Sequence, residues 1–120
     1  MATNKTVLLI DDEQEICMLL ATIVKKNSLN PVYVHSISDA VLIVEKFRPI
    51  LTFLDINLPD GNGLDLLGTL TSQYPKMKVV IISAFDGFRE RAINIGAHGF
   101  LSKPFTQKSV ADLLIASDTV

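Results

Sequence analysis

Val7-Leu8-Leu9-Ile10-Asp11-Asp12-Glu13 decides how the rest of the chain is read. Four apolar residues stop abruptly at three acids. The run is too short for a helix. Without an alternating polar partner, it suits a strand covered on both faces. Such a strand belongs to a parallel sheet with helices on either side. Ligands of open parallel sheets gather beyond the carboxyl ends of the strands, and here the acids begin at that end.

The flanking sequence repeats the pattern. Glu13 to Asn27 carries Ile16, Leu19, Leu20, Ile23 and Val24 at helical spacing. Pro31 to His35 reads as a second, weaker strand. Ser38 is the expected cap of a helix that runs through Ala40 to Phe47 and stops at Pro49. Ile50 to Leu54 is a third strand, ending at Asp55, and Leu58-Pro59-Asp60-Gly61 is turn chemistry. Leu64 to Tyr74 is helical, with Leu64, Leu67 and Leu70 three apart. Val79 to Ile82 is the fourth strand, ending at Ser83. Gly87 to Ile95 is a short helix with Gly96 at its C-terminal side. His98 to Leu101 is the fifth strand, followed by Lys103-Pro104, and Thr106 to Ser117 is the last helix. Repeated strand-then-helix order predicts an α/β fold, with right-handed crossovers laying helices on both faces of a parallel sheet.

Composition bounds the function. The 120 residues suit one domain, read as 1–120. A hydrophobic content of 48% supports a core and excludes a disordered chain. Eleven basic against 13 acidic residues give a net charge of −2, with no basic footprint for nucleic acid. No apolar run approaches the roughly 18 residues that mark a membrane span. Met1 to Thr6 is polar and is not a signal peptide. The single cysteine allows no internal disulfide and points to a cytoplasmic setting. Asn4-Lys5-Thr6 is then a sequon by chance, and the absence of Trp argues against a stacking platform for single strands.

Only the placement of charge is informative. Asp11, Asp12 and Glu13 follow the first strand, Asp55 the third, Ser83 the fourth, and Lys103 the fifth. All converge on one edge of the sheet. Crowded carboxylates repel unless a cation joins them. Hard oxygen donors suit Mg²⁺, with Mn²⁺ as the alternative ion, and no Cys or His stands ready to make a zinc site. A Mg²⁺ held by few protein groups keeps positions open for phosphate oxygens, beside which Lys103 supplies charge and Ser83 a hydroxyl. The chemistry implied is phosphoryl transfer to a carboxylate. Each residue alone has a plainer reading. Asp11-Asp12 serves as a helix N-cap pair, and Asp12 can cap while binding metal. Asp55 would form a turn before Pro59, Lys103 a solvated cation, and Ser83 the close of a strand.

Four segments in order resemble the response-regulator receiver domain of two-component signalling, in its chemotaxis-regulator-like form. They are Val7 to Glu13, Leu54 to Gly63, Ile81 to Ala84, and Gly96 to Phe105, and the resemblance covers Thr6 to Lys108. It implies a flavodoxin-like, doubly wound five-stranded sheet of order 2-1-3-4-5 with five helices. It implies Asp55 as phosphoacceptor, Asp12 and Asp55 as direct Mg²⁺ ligands, Asp11 as a ligand through water, and the backbone carbonyl of Asn57 as a further ligand. Lys103 would pair with Asp55 and then with a phosphoryl oxygen. Ser83 would be the switch hydroxyl, and Phe100 the switch aromatic that packs inward when Ser83 moves. Lys103-Pro104 would be cis, and the small Ala84 would leave access to the acceptor. Asn57 and Phe85 occupy the positions that bear on phosphoryl lifetime, and here an amide and a bulky ring suggest partial shielding from water. The donor would be a phosphohistidine on a sensor histidine kinase or a phosphotransfer protein. The output would be a downstream effector domain or protein, with phosphorylation-dependent homodimerisation as one mode. No nucleic acid and no membrane contact is expected of the domain itself.

Other residues read as structural. Cys17 is a core position, His35 and His98 lack metal partners, Gly61 and Gly63 are turn residues, and Leu64, Leu67 and Leu70 face the core. Phe85, Phe88, Arg89, Arg91, Phe105 and Lys108 gather on the expected fourth-helix and fifth-helix face, as partner surface or as core. A flavin protein of this fold would need a first loop that welcomes phosphate, and Asp11-Asp12-Glu13 repels it. A haloacid-dehalogenase-type phosphatase would need an acid where Asn57 stands. A phosphorylation-independent interaction module of the same fold is the remaining alternative. The last helix ends close to Val120, which reads as a receiver excised from a longer protein or a free-standing regulator.

Overall fold

The computed structural model describes residues 4–117. The ends of the 1–120 reading, including the first three residues of the polar N-terminus, lie outside them. Five strands form one parallel sheet: β1 Thr6–Ile10, β2 Asn30–Val34, β3 Leu51–Asp55, β6 Lys78–Ser83 and β7 Gly99–Ser102. Five helices follow them: α1 Gln14–Lys26, α2 Ile37–Phe47, α3 Gly63–Gln73, α4 Arg89–Ile95 and α5 Gln107–Ala116. The sheet order is β2-β1-β3-β6-β7, which is 2-1-3-4-5 when only its own strands are counted. The expected doubly wound, flavodoxin-like architecture is therefore the one observed.

Alternation explains why the strands read as unbroken apolar runs. Leu8, Ile10, Leu54, Val79 and Ile81 point into one core beneath α2, α3 and α4. Their neighbours Val7, Leu9, Phe53, Val80 and Ile82 point into the other, beneath α1 and α5. Successive side chains leave a strand on opposite faces, so a strand between two helical layers is apolar at every position. All five residues of β1 and of β3 are buried.

The order reverses between β1 and β3. The connection from β1 runs outward to β2, and that from β3 runs the other way to β6. The helices therefore diverge there and leave a crevice beyond the strand ends. Asp55 is the last residue of β3, and Asp11 follows β1 directly.

Local details depart from the sequence reading. The cap of α2 is Ser36, whose Oγ accepts from Asp39 N at 3.3 Å, and not Ser38. The Ser38 N–H instead donates to Asp60 Oδ2 at 3.0 Å, while Ile37 N–H donates to Asp60 Oδ1 at 2.8 Å. These two backbone donors hold the Asp60 carboxyl below the usual carboxylate range. The turn around Pro59 is closed by a two-residue antiparallel ladder, β4 Asn57–Leu58 with β5 Gly61–Asn62. Asp12 does not cap α1: the N-cap is Glu13, with no side-chain hydrogen bond. The fourth helix starts as a 3₁₀ turn over Asp86–Phe88. His98 stands just before β7, its N–H donating to Val79 O at 2.7 Å. Lys103-Pro104 is cis, as expected.

Gly63 opens α3 directly under the acidic crevice. A Cβ there would lie 2.1 Å from the Asp55 carbonyl oxygen and 2.8 Å from Ile56 Cα, both rigid backbone. Gly68, on the same helix, would meet only Ile95 Cγ2 at 3.8 Å, an ordinary contact. Gly63→Ala is therefore expected to destabilise the domain by about 1–3 kcal/mol through overpacking. Gly68→Ala is expected to be neutral or to stabilise it by roughly 0.5–1 kcal/mol through helix propensity. Urea unfolding of the two variants gives opposite signs if this packing is right.

Candidate functional site

Asp11 is wholly buried at the end of β1. Its Oδ1 accepts from Glu13 N–H at 2.9 Å. Its Oδ2 is buried without a well-directed hydrogen bond and meets Lys103 Nζ at 3.0 Å as an ion pair. The same ammonium reaches Glu13 Oε1 at 3.1 Å and Asp55 Oδ2 at 3.7 Å. Asp11, Asp12 and Asp55 each offer a carboxylate oxygen, and these oxygens lie within 4.8 Å of one another. Asp12 is exposed at the mouth while the other two are buried. The crevice thus brings together the five charged residues singled out from the strand ends, Asp11, Asp12, Glu13, Asp55 and Lys103.

Each position has a local cause. Lys103 follows β7, and its N–H donates to Ser83 O at 2.8 Å, which carries the ladder between β6 and β7 one step past the sheet. Asp11 N–H likewise donates to Val34 O at 3.3 Å, extending the β1–β2 ladder. Asn57 begins β4, where pairing with Asn62 fixes the turn beside the acceptor strand. Asn62 in turn caps α3, accepting from Leu64 N at 2.7 Å.

Burial dominates the electrostatics. It pushes the Asp55 carboxyl up to about 6; the neighbouring Asp11 charge adds to the rise, against Lys103 and the Asn57 N–H. Burial also raises Asp11, opposed by the Glu13 N–H and by Lys103. Lys103 would be lowered by its own burial, yet Asp11, Asp55 and Glu13 together hold it above the ordinary lysine value. One ammonium therefore faces more negative charge than it can neutralise. Hard carboxylate oxygens, one of them buried and without a hydrogen bond, fit a divalent cation of the Mg²⁺ or Mn²⁺ type.

The remaining residues fall into two groups. Ser83 is buried, and its hydroxyl donates to Phe85 O at 3.2 Å and accepts from Phe85 N–H at 3.0 Å. It is thus turned into the loop after β6. Phe100 is only 7% exposed, so its ring is already inward while Ser83 holds this loop bond. The Arg89 guanidinium covers that ring, 4.7 Å from its centre. Phe88 packs partly against one core and Phe105 against the other. Phe85 is 62% exposed and meets Phe88 edge-on at 5.2 Å. Exposed Ile93 and Ile115 add to the apolar surface of α4 and α5.

Two contacts have no signal in the sequence. Glu13 is a strand-end acid, but its hold on Lys103 needs residues 90 apart in the chain to meet. Asp60 belongs to a turn, while its carboxylate clasps the start of α2. No local pattern announces either.

The Asp55 shift has a sign. A carboxyl whose folded value lies above its ordinary 3.8 contributes stability below about pH 4 that is lost as pH rises through about 6. In chelator at about pH 8, Asp55→Asn is expected to be more stable than the parent by on the order of 2 kcal/mol. The gap should close as pH falls toward 4; urea unfolding across that range checks it, and an equal or inverted gap at high pH would contradict the electrostatics described.

Known proteins carry the same frame. Photosynthetic apparatus regulatory protein RegA of Rhodobacter capsulatus is 25% identical over 118 residues, 97% of this chain and 64% of its own length. Probable transcriptional regulatory protein TcrX of Mycobacterium tuberculosis is 31% identical over 107 residues, 88% of this chain and 46% of its own. The chain thus spans less than two thirds of either relative. The crystal structure of the receiver domain of NtrX from Brucella abortus superposes with a TM-score of 0.87 at 30% identity, covering 95% of this chain and 99% of that one. The family model of the response regulator receiver domain matches residues 7–115. With that match over nearly the whole sheet and its acidic crevice, the chain belongs to the response regulator receiver domain family of two-component signalling.

Proposed function

We propose that this domain is a phosphorylation-controlled switch in which Asp55 accepts a phosphoryl group from a phosphohistidine of a sensor kinase or phosphotransfer protein. The observation that carries the reading is the meeting of Asp11, Asp12, Asp55 and Lys103 in one crevice at the point where strand order reverses. A carboxylate of Asp55 attacks phosphorus, a P–O bond forms, and the P–N bond to the donor imidazole breaks. The departing imidazole keeps the bond's electron pair and takes a proton from solvent. Water later hydrolyses the acyl phosphate and restores the carboxylate.

Asp12 and Asp55 would ligate Mg²⁺ or Mn²⁺ directly, Asp11 through water, and the Asn57 carbonyl would complete the protein's share. When bound, the ion supplies charge neutralisation for the phosphoryl oxygens. Lys103 is held by Asp11 and Glu13 at 3.0 and 3.1 Å, with Asp55 at 3.7 Å, so it can turn to a new anion on Asp55 without leaving the crevice. A phosphoryl oxygen would compete with the Phe85 backbone for the Ser83 hydroxyl. Its movement would release the loop toward α4, which Arg89 connects to Phe100. The altered α4–β7–α5 surface would then govern an effector domain or partner protein, with homodimerisation as one form of output. Residues 1–120 act as one such unit, in the cytoplasm.

Acetyl phosphate with Mg²⁺ is expected to add one phosphate per chain, read by intact-mass spectrometry. Asp55→Asn should abolish the added mass, and chelator should suppress it. Lys103→Ala should leave Mg²⁺ binding in place and remove the response of the Phe100 and α4 resonances to beryllofluoride. Full labelling of Asp55→Asn would overturn Asp55 as the acceptor, and an unlabelled parent with an unchanged spectrum would favour the phosphorylation-independent module instead.

A further inference from the structure

His35 stands immediately after β2 and belongs to none of the groups above. Its Nδ1 lies 2.9 Å from the backbone carbonyl oxygen of Asp11. A carbonyl can only accept, so Nδ1 must carry the hydrogen. The Cys17 thiol donates to the same oxygen at 3.4 Å from the first turn of α1. That oxygen has two lone pairs, and both are engaged. The thiol is the weaker of the two donors, and burial keeps it protonated, with its pKa pushed up to about 12.

The carbonyl in question belongs to the peptide that joins Asp11 to Asp12. A peptide is planar, so the direction of its C=O also sets the direction in which the chain proceeds to Asp12. β1 has ended there and α1 has not begun, so beyond the Asx bond from Glu13 N–H to Asp11 Oδ1 no regular ladder or helical turn constrains that plane from the Asp12 side. Asp11 N–H is held by Val34 O, one residue before His35, so the end of β2 grips Asp11 at both its amide and its carbonyl. The His35 ring is itself steadied by the Tyr33 ring, 5.8 Å away and tilted by 57°. Asp12 has no cap bond to α1 to settle it. Its carboxylate must nonetheless come within 4.8 Å of those of Asp11 and Asp55.

We infer that His35 is a positioning residue for the cation site: through the Asp11 carbonyl it aims the Asp11–Asp12 peptide so that Asp12 faces Asp55. Its bond is to the Asp11 backbone and not to a ligating carboxylate. The inference rests on the proposed reading of the crevice as a divalent cation site. Groups that orient metal ligands from behind commonly change metal affinity by about 10–100-fold when removed.

Three substitutions separate this role from packing. His35→Phe keeps the ring and removes the donor. His35→Ala removes both. His35→Asn sets an amide N–H near the place of Nδ1 and keeps the donor. Mg²⁺ dissociation constants come from amide chemical-shift titration, and melting temperatures are taken in chelator. The expected result is a loss of Mg²⁺ affinity of about tenfold in His35→Phe and His35→Ala, with His35→Asn within about twofold of the parent. His35→Phe should melt close to the parent in chelator. Equal Mg²⁺ affinity in all three variants would overturn the inference, and so would a loss in His35→Asn as large as in His35→Phe. Asp12→Asn distinguishes the two levels: if the parent binds no Mg²⁺, or binds it undiminished in Asp12→Asn, the cation reading itself fails. If Asp12→Asn abolishes binding and the His35 variants do not weaken it, only the role of His35 fails.

Discussion

Two carboxylates, Asp11 and Asp55, end neighbouring parallel strands inside a nearly dry crevice, with one ammonium between them and a third carboxylate at the mouth. Much of what surrounds them serves to hold that arrangement. In water the repulsion would be weak, and the side chains would swing apart. Here β1 and β3 are hydrogen-bonded neighbours, and their registers leave Asp11 and Asp55 side by side. Burial, with the neighbouring negative charge adding to it, raises both carboxyls, and the carboxylates around Lys103 hold it charged. A crevice in that condition gains from a group that brings positive charge, which is the physical sense in which such a site fits a divalent cation.

The two cores provide the rigidity. Leucine, isoleucine and valine side chains, with Phe53 of β3, fill both faces of β1, β3 and β6, so the strand ends cannot drift independently. Small features then set the angles. Gly63 lets α3 start against the Asp55 backbone, and Asn62 caps that helix. Asp60 ties the turn after β3 to the N-terminus of α2. His35 and Val34 grip Asp11 from β2. On the far side the loop after β6 is exposed over residues 84–87, held by two bonds between Ser83 and Phe85 and by one from Ser102 to Asp86. The crevice is thus braced by more buried contacts on the β2–α2–α3 side than on the α4 side.

The strand-helix order, the two-sided burial of the central strands and the convergence of Asp11, Asp12, Asp55 and Lys103 were legible in the sequence. Each follows from short-range rules: a period of two for strands, 3.6 for helices, and polar residues where an apolar run ends. Caps were less legible, because Ser36 and Ser38 are equally good on paper. The Asp60 carboxylate decides between them by taking the Ser38 N–H for itself. Capping of α1 by Asp12 also failed, since the helix begins at Gln14 with Glu13 as its N-cap and Asp12 is left at the crevice mouth.

By itself the sequence determined the class of fold, the five strand ends and the kinds of side chain that stand there, because burial and backbone period are written residue by residue. Which carboxylate Lys103 grips, where the Ser83 hydroxyl points, that Phe100 is already inside, and that His35 reaches the Asp11 carbonyl were decided only by the tertiary structure. Those are contacts between residues far apart in the chain, and their geometry depends on ångström-scale packing that no local pattern encodes.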